Sequence, residues 1–96
     1  MSKKREKAEP VRQLENEKVI VTEWKFSPGA ETGWHVHAHD YVVVPLVSGR
    51  LLLETPDGEM VADLVLGQSY SREIGVEHNV INDNEFDLSF VEIELK

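Results

Sequence analysis

Hydrophobic and polar positions alternate over short stretches of this chain, which is the pattern of half-buried β-strands. Residues 18–26 are rich in β-branched and aromatic side chains and end at a turn formed by Ser27, Pro28 and Gly29. Further strands are predicted at residues 34–39, 41–47, 50–55, 59–65, 69–74, 77–81 and 86–95. Only residues 5–17 could hold a helical turn. Seven or eight short strands without intervening helices predict an antiparallel sandwich or a small barrel.

The clearest local prediction is a β-hairpin in the middle of the chain. Residues 50–55 and 59–65 flank Pro56, Asp57 and Gly58, where proline presets φ and glycine can take a positive φ. Alternation buries one face of this hairpin. Leu52, Val61 and Val65 lie on its other face, which leaves apolar surface for a partner subunit. Together with the small size of the chain, this surface predicts a homodimer.

The length and composition limit the classes of protein to consider. A chain of 96 residues makes one small domain, which we assign to residues 18–96, after a polar N-terminal segment, residues 1–17, that is expected to be flexible. The chain contains no cysteine, which excludes disulfides and thiolate ligands and fits a reducing compartment. It also has no apolar run of membrane-spanning length. We therefore expect a cytoplasmic protein without a membrane partner.

The charge distribution argues against nucleic acid as a partner. The formal net charge is -8, and it is concentrated after residue 18, where four Lys or Arg face fourteen Asp or Glu. A body this acidic repels a phosphate backbone. The basic start at Lys3, Lys4 and Arg5 is interrupted by Glu6 and Glu9, so it is a poor nucleic-acid arm.

The four histidines carry the most specific chemical signal. His35, His37 and His39 alternate along one predicted strand and therefore project from one face, while His78 lies far along the chain. Imidazoles clustered at this spacing can bind Zn, Fe, Mn, Ni or Cu. Histidines that serve only as hydrogen-bonded structural residues remain an alternative at this point.

Two groups of residues resemble the motifs of the cupins, and in particular small single-domain cupins with an RmlC-like jelly roll. The first cupin motif contains a glycine, a His-x-His pair, a glutamate and a second glycine, and it is matched here by Gly29, His35, His37 and Gly49. The second motif is matched by Gly67, Gly75, His78 and Asn82, with Glu73 where proline is usual. The glutamate of the first motif is missing. Tyr41 or Val42 stands at its position, next to Asp40.

The resemblance implies an all-β fold, an antiparallel jelly-roll β-barrel or double-stranded β-helix, with a metal held inside. It implies that His35, His37 and His78 are the ligands of a divalent transition metal, which could be Fe, Mn, Ni or Zn. His39 could be a fourth ligand or a residue that lines the mouth of the pocket, and the second role is favoured. Further candidates for the pocket, each of which could equally be ordinary barrel surface or core, are Tyr41, Arg72, Asp40, Tyr70, Trp34 and Glu73.

The missing glutamate affects the expected ligand chemistry. Three neutral imidazoles leave a divalent metal its full charge, so the site is expected to bind a small anionic or oxygen-rich molecule. Cupins with three histidines include iron dioxygenases, which makes dioxygenation the first reaction type implied by the resemblance. The sequence shows no obvious general base near the motifs. A non-catalytic ligand-binding or sensor cupin, and a barrel whose histidines hold no metal, are the alternatives.

Overall fold

The computed structural model describes residues 5–96, and these residues form nine β-strands. In chain order the strands are β1 (Glu9–Glu15), β2 (Val19–Phe26), β3 (His35–Val36), β4 (Asp40–Pro45), β5 (Gly49–Thr55), β6 (Gly58–Leu64), β7 (Tyr70–Arg72), β8 (Glu77–Asn82) and β9 (Leu88–Leu95). Among these residues there is no helix with the length and apolar character needed to cross a membrane.

The strands form two antiparallel sheets that face each other. The five-stranded sheet has the order β1-β2-β9-β4-β7, and the four-stranded sheet has the order β3-β8-β5-β6. Every pairing between these strands is antiparallel. Strands that are distant in sequence, such as β2 and β9, are neighbours, so the chain winds back and forth between the two sheets. This confirms the all-β, antiparallel jelly-roll fold expected from the sequence.

Strand β1 lies in the segment for which the sequence predicts a flexible polar tail. It pairs with β2 from Glu9 opposite Lys25 to Glu15 opposite Ile20, with an irregularity between Arg12 and Leu14. Hydropathy gives little sign of it because six of its seven residues are exposed. The strand is held mainly by backbone hydrogen bonds along a sheet edge, which any extended sequence can form. Lys3 and Lys4 of the basic start lie outside the described residues.

The predicted hairpin is confirmed. Strands β5 and β6 pair from Gly49 opposite Leu64 to Thr55 opposite Gly58, so the loop consists of Pro56 and Asp57. Gly58 has a φ of 111°, which a residue with a side chain rarely adopts. The Thr55 hydroxyl donates a hydrogen bond of 2.7 Å to the Gly58 carbonyl and closes the turn.

The apolar core lies between the two sheets. Phe26 of β2 and Phe90 of β9 pack with their ring centroids 5.5 Å apart, and Leu51 and Leu88 are almost completely buried beside them. Burying each of these side chains contributes about 1.5–3 kcal/mol. Leu51 and Phe90 also line the cavity described below, so the core holds the sheets together and forms part of the cavity wall.

Asn82 is the main polar residue of the core. Its side-chain amide donates hydrogen bonds to the carbonyls of Phe26, Ser27 and Phe86, and its side-chain oxygen accepts from Asn84. The residue is 1% exposed. It therefore ties the end of β2 and the β8–β9 connection to the last residue of β8.

Replacing this residue should destabilise the protein strongly. Asn82→Ala leaves several buried carbonyls without a donor, and we expect a loss of about 2–4 kcal/mol in the free energy of unfolding, measured by urea denaturation. The neighbouring variant Asp83→Ala removes an exposed carboxylate that pairs with Arg50, and it should change stability by less than about 1 kcal/mol. Equal losses for the two variants would contradict this role of Asn82.

Candidate metal centre

Three histidines converge because β3 pairs with β8. His35 lies directly opposite His78 in this antiparallel pair. His37 follows β3, and its backbone is clamped on both sides: its amide donates to the Val76 carbonyl, and its carbonyl accepts from the Gly75 amide, both at 2.9 Å. The pairing thus brings residues from two distant parts of the chain to one point inside the barrel.

The ring nitrogens of these histidines are close enough to share one ion. His37 Nε2 lies 3.0 Å from His35 Nε2 and 3.1 Å from His78 Nε2. One ligand atom from each of the three residues falls within 4.8 Å of the other two. His37 and His78 are buried and His35 is half-buried. The three histidines are therefore positioned to bind a metal ion.

Hydrogen bonding among the three rings cannot account for this geometry. His35 Nδ1 lies 2.8 Å from the Gly33 carbonyl, which can only accept, so in neutral His35 the proton is on Nδ1 and Nε2 carries a lone pair. If His37 Nε2 is unprotonated, its lone pair faces the lone pair of His35 Nε2, and the two repel each other. If it is protonated, it can donate to only one of its two neighbours. With all three rings neutral, one short N···N contact therefore lacks a proton, and a cation between the rings would remove that repulsion.

The short separations also fit metal coordination. At metal–nitrogen distances of about 2.1 Å, two nitrogens are about 3.0 Å apart when their bonds meet at 90° and about 3.4 Å apart in a tetrahedron. The separations of 3.0 and 3.1 Å are close to these values, so His37 could share one ion with His35 and with His78.

A network of polar contacts orients His35 from behind. Gly33, whose carbonyl accepts from His35, has its own amide bonded to the Asn79 side chain at 2.9 Å. Asn79 in turn donates to Glu31 and Glu54, both at 2.8 Å. Gly33 has a φ of 90°, a backbone conformation that residues with a side chain rarely adopt. Glycine is therefore favoured at the position that aims the His35 ring.

Burial keeps two of the imidazoles neutral. Desolvation is the main cause that lowers the pKa of His37 to about 3, and the neighbouring His35 and His78 lower it further. Desolvation is also the main cause that lowers the pKa of His78 to about 4, and His35 and Arg72 add smaller effects in the same direction. Near neutral pH both rings therefore carry the free lone pair that a metal needs.

Tyr41 takes the place of the missing glutamate. Of the two candidates for that position, Tyr41 points into the barrel, while Val42 points to the other face of β4. The Tyr41 ring stacks on His37 with centroids 3.8 Å apart and an angle of 16° between the planes. Burial raises the pKa of its phenol further above its ordinary value. The side chain therefore supports a histidine with its ring and adds no carboxylate charge.

His39 and Arg72 line the same cavity outside the three-histidine cluster. His39 Nδ1 lies 3.2 Å from Glu94 Oε2, and His39 is partly exposed. This geometry corresponds to a residue at the cavity mouth. Arg72 places its guanidinium carbon 4.9 Å from the centroid of the Tyr70 ring, and among residues 5–96 it forms no ion pair.

The cavity has a volume of about 340 Å³. Besides the histidines, Tyr41, Tyr70 and Arg72, it is lined by apolar side chains that include Trp24, Leu53 and Phe90. Asp40, Trp34 and Glu73, which were candidates for the pocket, are not among its lining residues. Asp40 instead accepts a hydrogen bond of 2.7 Å from the Ile74 amide, and Trp34 donates to Glu77 at the surface.

Sequence reasoning missed two carboxylates in the cavity wall, Glu92 and Glu94 of β9. The alternation of β9 was the available signal, because Leu88, Phe90, Glu92 and Glu94 share its inward face. Glu92 is 9% exposed. Its pKa is raised to about 7, mainly by desolvation and to a smaller extent by the nearby Glu94. A hydrogen bond with the Trp24 indole lowers the pKa and partly offsets this rise. The interior therefore contains an ionisable acid as well as the histidines.

The raised pKa of Glu92 should appear as a pH-dependent cost in stability. Between its unfolded pKa near 4.5 and its folded pKa near 7, the folded protein keeps a proton that the unfolded chain releases. Stability contributed by this group is therefore lost as pH rises through that interval. The free energy of unfolding of Glu92→Gln, relative to that of the native protein, should rise by about 1–2 kcal/mol from pH 5.5 to pH 8. Urea denaturation at both pH values measures this difference. The exposed variant Glu59→Gln should show no such change. Parallel curves for the native protein and Glu92→Gln would contradict the prediction.

Comparison with known proteins agrees with this geometry. Residues 22–94 match the cupin domain family. The chain is 61% identical to the beta-alanine degradation protein BauB of Pseudomonas aeruginosa over 92 residues, which cover 96% of this chain and 97% of that protein. A cupin domain from Bordetella pertussis is 57% identical and superposes with a TM-score of 0.97, covering 99% of both chains. An RmlC-like cupin with a double-stranded β-helix fold from Methanocaldococcus jannaschii is 14% identical, with a TM-score of 0.77 over 99% of this chain and 85% of that one. The chain belongs to the cupin family.

Proposed function

We propose that this protein is a metal-dependent cupin that acts on a short organic acid, either β-alanine itself or a compound formed in its breakdown. The observation that carries the proposal is the convergence of three imidazoles, with Nε2 separations of 3.0 and 3.1 Å, in the wall of a cavity of about 340 Å³. The similarity to a beta-alanine degradation protein, at 61% identity, supports the substrate class.

The donor set favours an anionic ligand. His35, His37 and His78 would hold the ion, and neutral imidazoles leave a divalent metal its full positive charge. A bound divalent metal supplies Lewis acidity and open positions for oxygen ligands. Arg72, which has no carboxylate partner among the described residues, adds a positive charge at the cavity wall for a substrate carboxylate.

The rest of the cavity limits the size of the substrate and surrounds it with largely apolar side chains. Its volume of about 340 Å³ lies at the lower end of the range of about 300–1,000 Å³ for small-molecule sites. Trp24, Leu53 and Phe90 make much of the wall apolar. Tyr41 holds the His37 ring by stacking, and Gly33 holds the His35 ring by hydrogen bonding. Iron is the first candidate for the metal and dioxygenation for the reaction, with Mn, Ni and Zn as the other metals to test.

A second candidate function is the capture of a small acid without chemistry, as in a sensor. It is favoured by the shortage of free imidazoles that could act as a general base. Three of the four cavity histidines would bind the metal, and the fourth, His39, is already paired with Glu94. Measurement of metal content and of oxygen uptake separates the two functions. Either function is expected to operate in the cytoplasm, in agreement with a sequence that has no cysteine.

Metal analysis tests the ligand set. Protein purified without a histidine tag and loaded with Fe, Mn, Ni or Zn should retain about one ion per chain after dialysis, measured by elemental analysis. The double variant His35→Ala/His78→Ala should retain almost none, because one remaining imidazole binds too weakly. The matched control His39→Ala should still retain about one. Retention by the double variant would show that the ligands are other residues.

The iron form then distinguishes enzyme from binder. With β-alanine, short oxo acids, thiols and diketones offered in turn, we expect oxygen uptake at an oxygen electrode with at least one compound, and no uptake with the double histidine variant. Binding of a compound by calorimetry without oxygen uptake would support the sensor and would contradict dioxygenation.

We also propose that the protein forms a homodimer. Met60, Val61 and Val65 are more than half exposed on or beside β6, and β1 leaves an open edge on the other sheet. Apolar surface and a free strand edge are both covered when two copies associate. Light scattering at micromolar concentration should give a mass near twice 10.9 kDa. A mass of one chain would contradict this.

A further inference from the structure

The inward face of β9 changes character along its length. Leu88 and Phe90 are part of the apolar core, and Phe90 also lines the cavity together with Glu92 and Glu94, the next two residues on that face. An acid two residues beyond a core phenylalanine lies at the boundary between the packed interior and the cavity. At 9% exposure, Glu92 has little contact with bulk water. Its carboxyl group, which the Trp24 indole contacts on one side, lines the cavity and can contact a molecule inside it.

The strand register places these acids beside the metal centre. In the β4–β9 pair, Glu92 lies opposite Val43, and Glu94 lies opposite Tyr41. Directly opposite residues of an antiparallel pair have Cβ atoms about 5 Å apart. Tyr41 stacks on His37, so its ring connects the Glu94 position with that ligand histidine, and Glu92 lies one inward position further along β9. Glu92 and the three histidines line one cavity of about 340 Å³, so a short molecule inside it can contact both.

The two acids differ in their charge partners. Glu94 is paired with His39 at 3.2 Å. Glu92 has no ionic partner among residues 5–96. Arg72 is the one lysine or arginine among the cavity-lining residues of the described chain, and it lies over Tyr70. The titratable groups that share the cavity with Glu92 are Tyr41 of β4, Tyr70 and Arg72 of β7, Glu94 of β9, and the histidines at 35, 37, 39 and 78.

We infer that Glu92 is a specificity-determining residue that receives the ammonium group of an amino acid substrate whose carboxylate is held at the metal centre. A primary ammonium supplies the positive charge that Glu92 lacks, in a place where few water molecules compete. The carboxylate of the same molecule matches the metal and Arg72. The ligand is thus a short zwitterion with its two charged groups at opposite ends. This inference rests on the proposed function and narrows its substrate class.

The arrangement also gives a reason for keeping a carboxyl group buried at this position. An unpaired carboxyl group removed from water is costly, and proteins keep such groups where they contribute to function. When an ammonium binds, Glu92 must ionise, because only the carboxylate attracts a cation. Binding near pH 6 should therefore release a proton that binding at pH 8 does not.

The test compares three ligands of nearly equal size on metal-loaded protein at pH 8: β-alanine, 3-hydroxypropanoate and propanoate. Isothermal calorimetry should show β-alanine binding at least about tenfold more tightly than propanoate, as expected for a charge-assisted contact. For Glu92→Gln the two affinities should agree within about twofold, with propanoate binding unchanged. The control Glu59→Gln, on the exposed face of β6, should keep the full preference for β-alanine.

Proton release gives an independent measurement. In two buffers of different ionisation enthalpy, β-alanine binding to the native protein at pH 6 should release about one proton, and to Glu92→Gln almost none. Equal affinities for β-alanine and propanoate, tighter binding of 3-hydroxypropanoate, or an undiminished preference in Glu92→Gln would each overturn the inference. Metal-dependent binding of propanoate in those cases would leave the proposed function intact. Metal-loaded protein that binds none of the three ligands would overturn both.

Discussion

The antiparallel pairing of β3 with β8 is the constraint on which the metal centre depends. It is short, since β3 contains only His35 and Val36, yet it sets His35 opposite His78. Hydrogen bonds on both sides extend it: the Thr32 amide donates to Val80, and the His37 amide donates to Val76, both at 2.9 Å. Strand β8 is in turn fixed by its pairing with β5. The centre is therefore a property of the closed barrel, because no local segment contains all three ligands.

Exclusion of water acts on the two kinds of ionisable group in opposite directions. It lowers the pKa of His37 to about 3 and raises the pKa of Glu92 to about 7, because in each case burial disfavours the charged form. The same enclosure thus prepares imidazoles to bind a cation and leaves a carboxyl group that ionises near neutral pH. A cavity that held either group in contact with bulk water would have neither property.

The parts of the structure that the sequence predicted are those with a local or motif signal. Proline and glycine at 56 and 58 define the hairpin through their backbone preferences. His35, His37 and His78 stood out because two spaced motifs point to one barrel. Strand β1 could not be predicted from hydropathy, because an exposed edge strand buries almost no apolar side chain. Glu92 was missed for another reason: alternation in β9 shows that it faces inward, but not that the opposite sheet leaves a cavity there.

The exchange of a carboxylate for Tyr41 changes how charge is distributed in the barrel. A glutamate at the metal would cancel one unit of the metal's charge and would occupy a coordination position. Here an aromatic ring stacks on His37 at that place, and the carboxylates lie one ring further away, on β9. A divalent ion held by the three histidines would therefore give the interior a positive end, apart from its acidic end on β9. If Glu92 receives an ammonium group, as we infer, a zwitterion would match both ends, whereas a simple anion would leave Glu92 without a counter-charge.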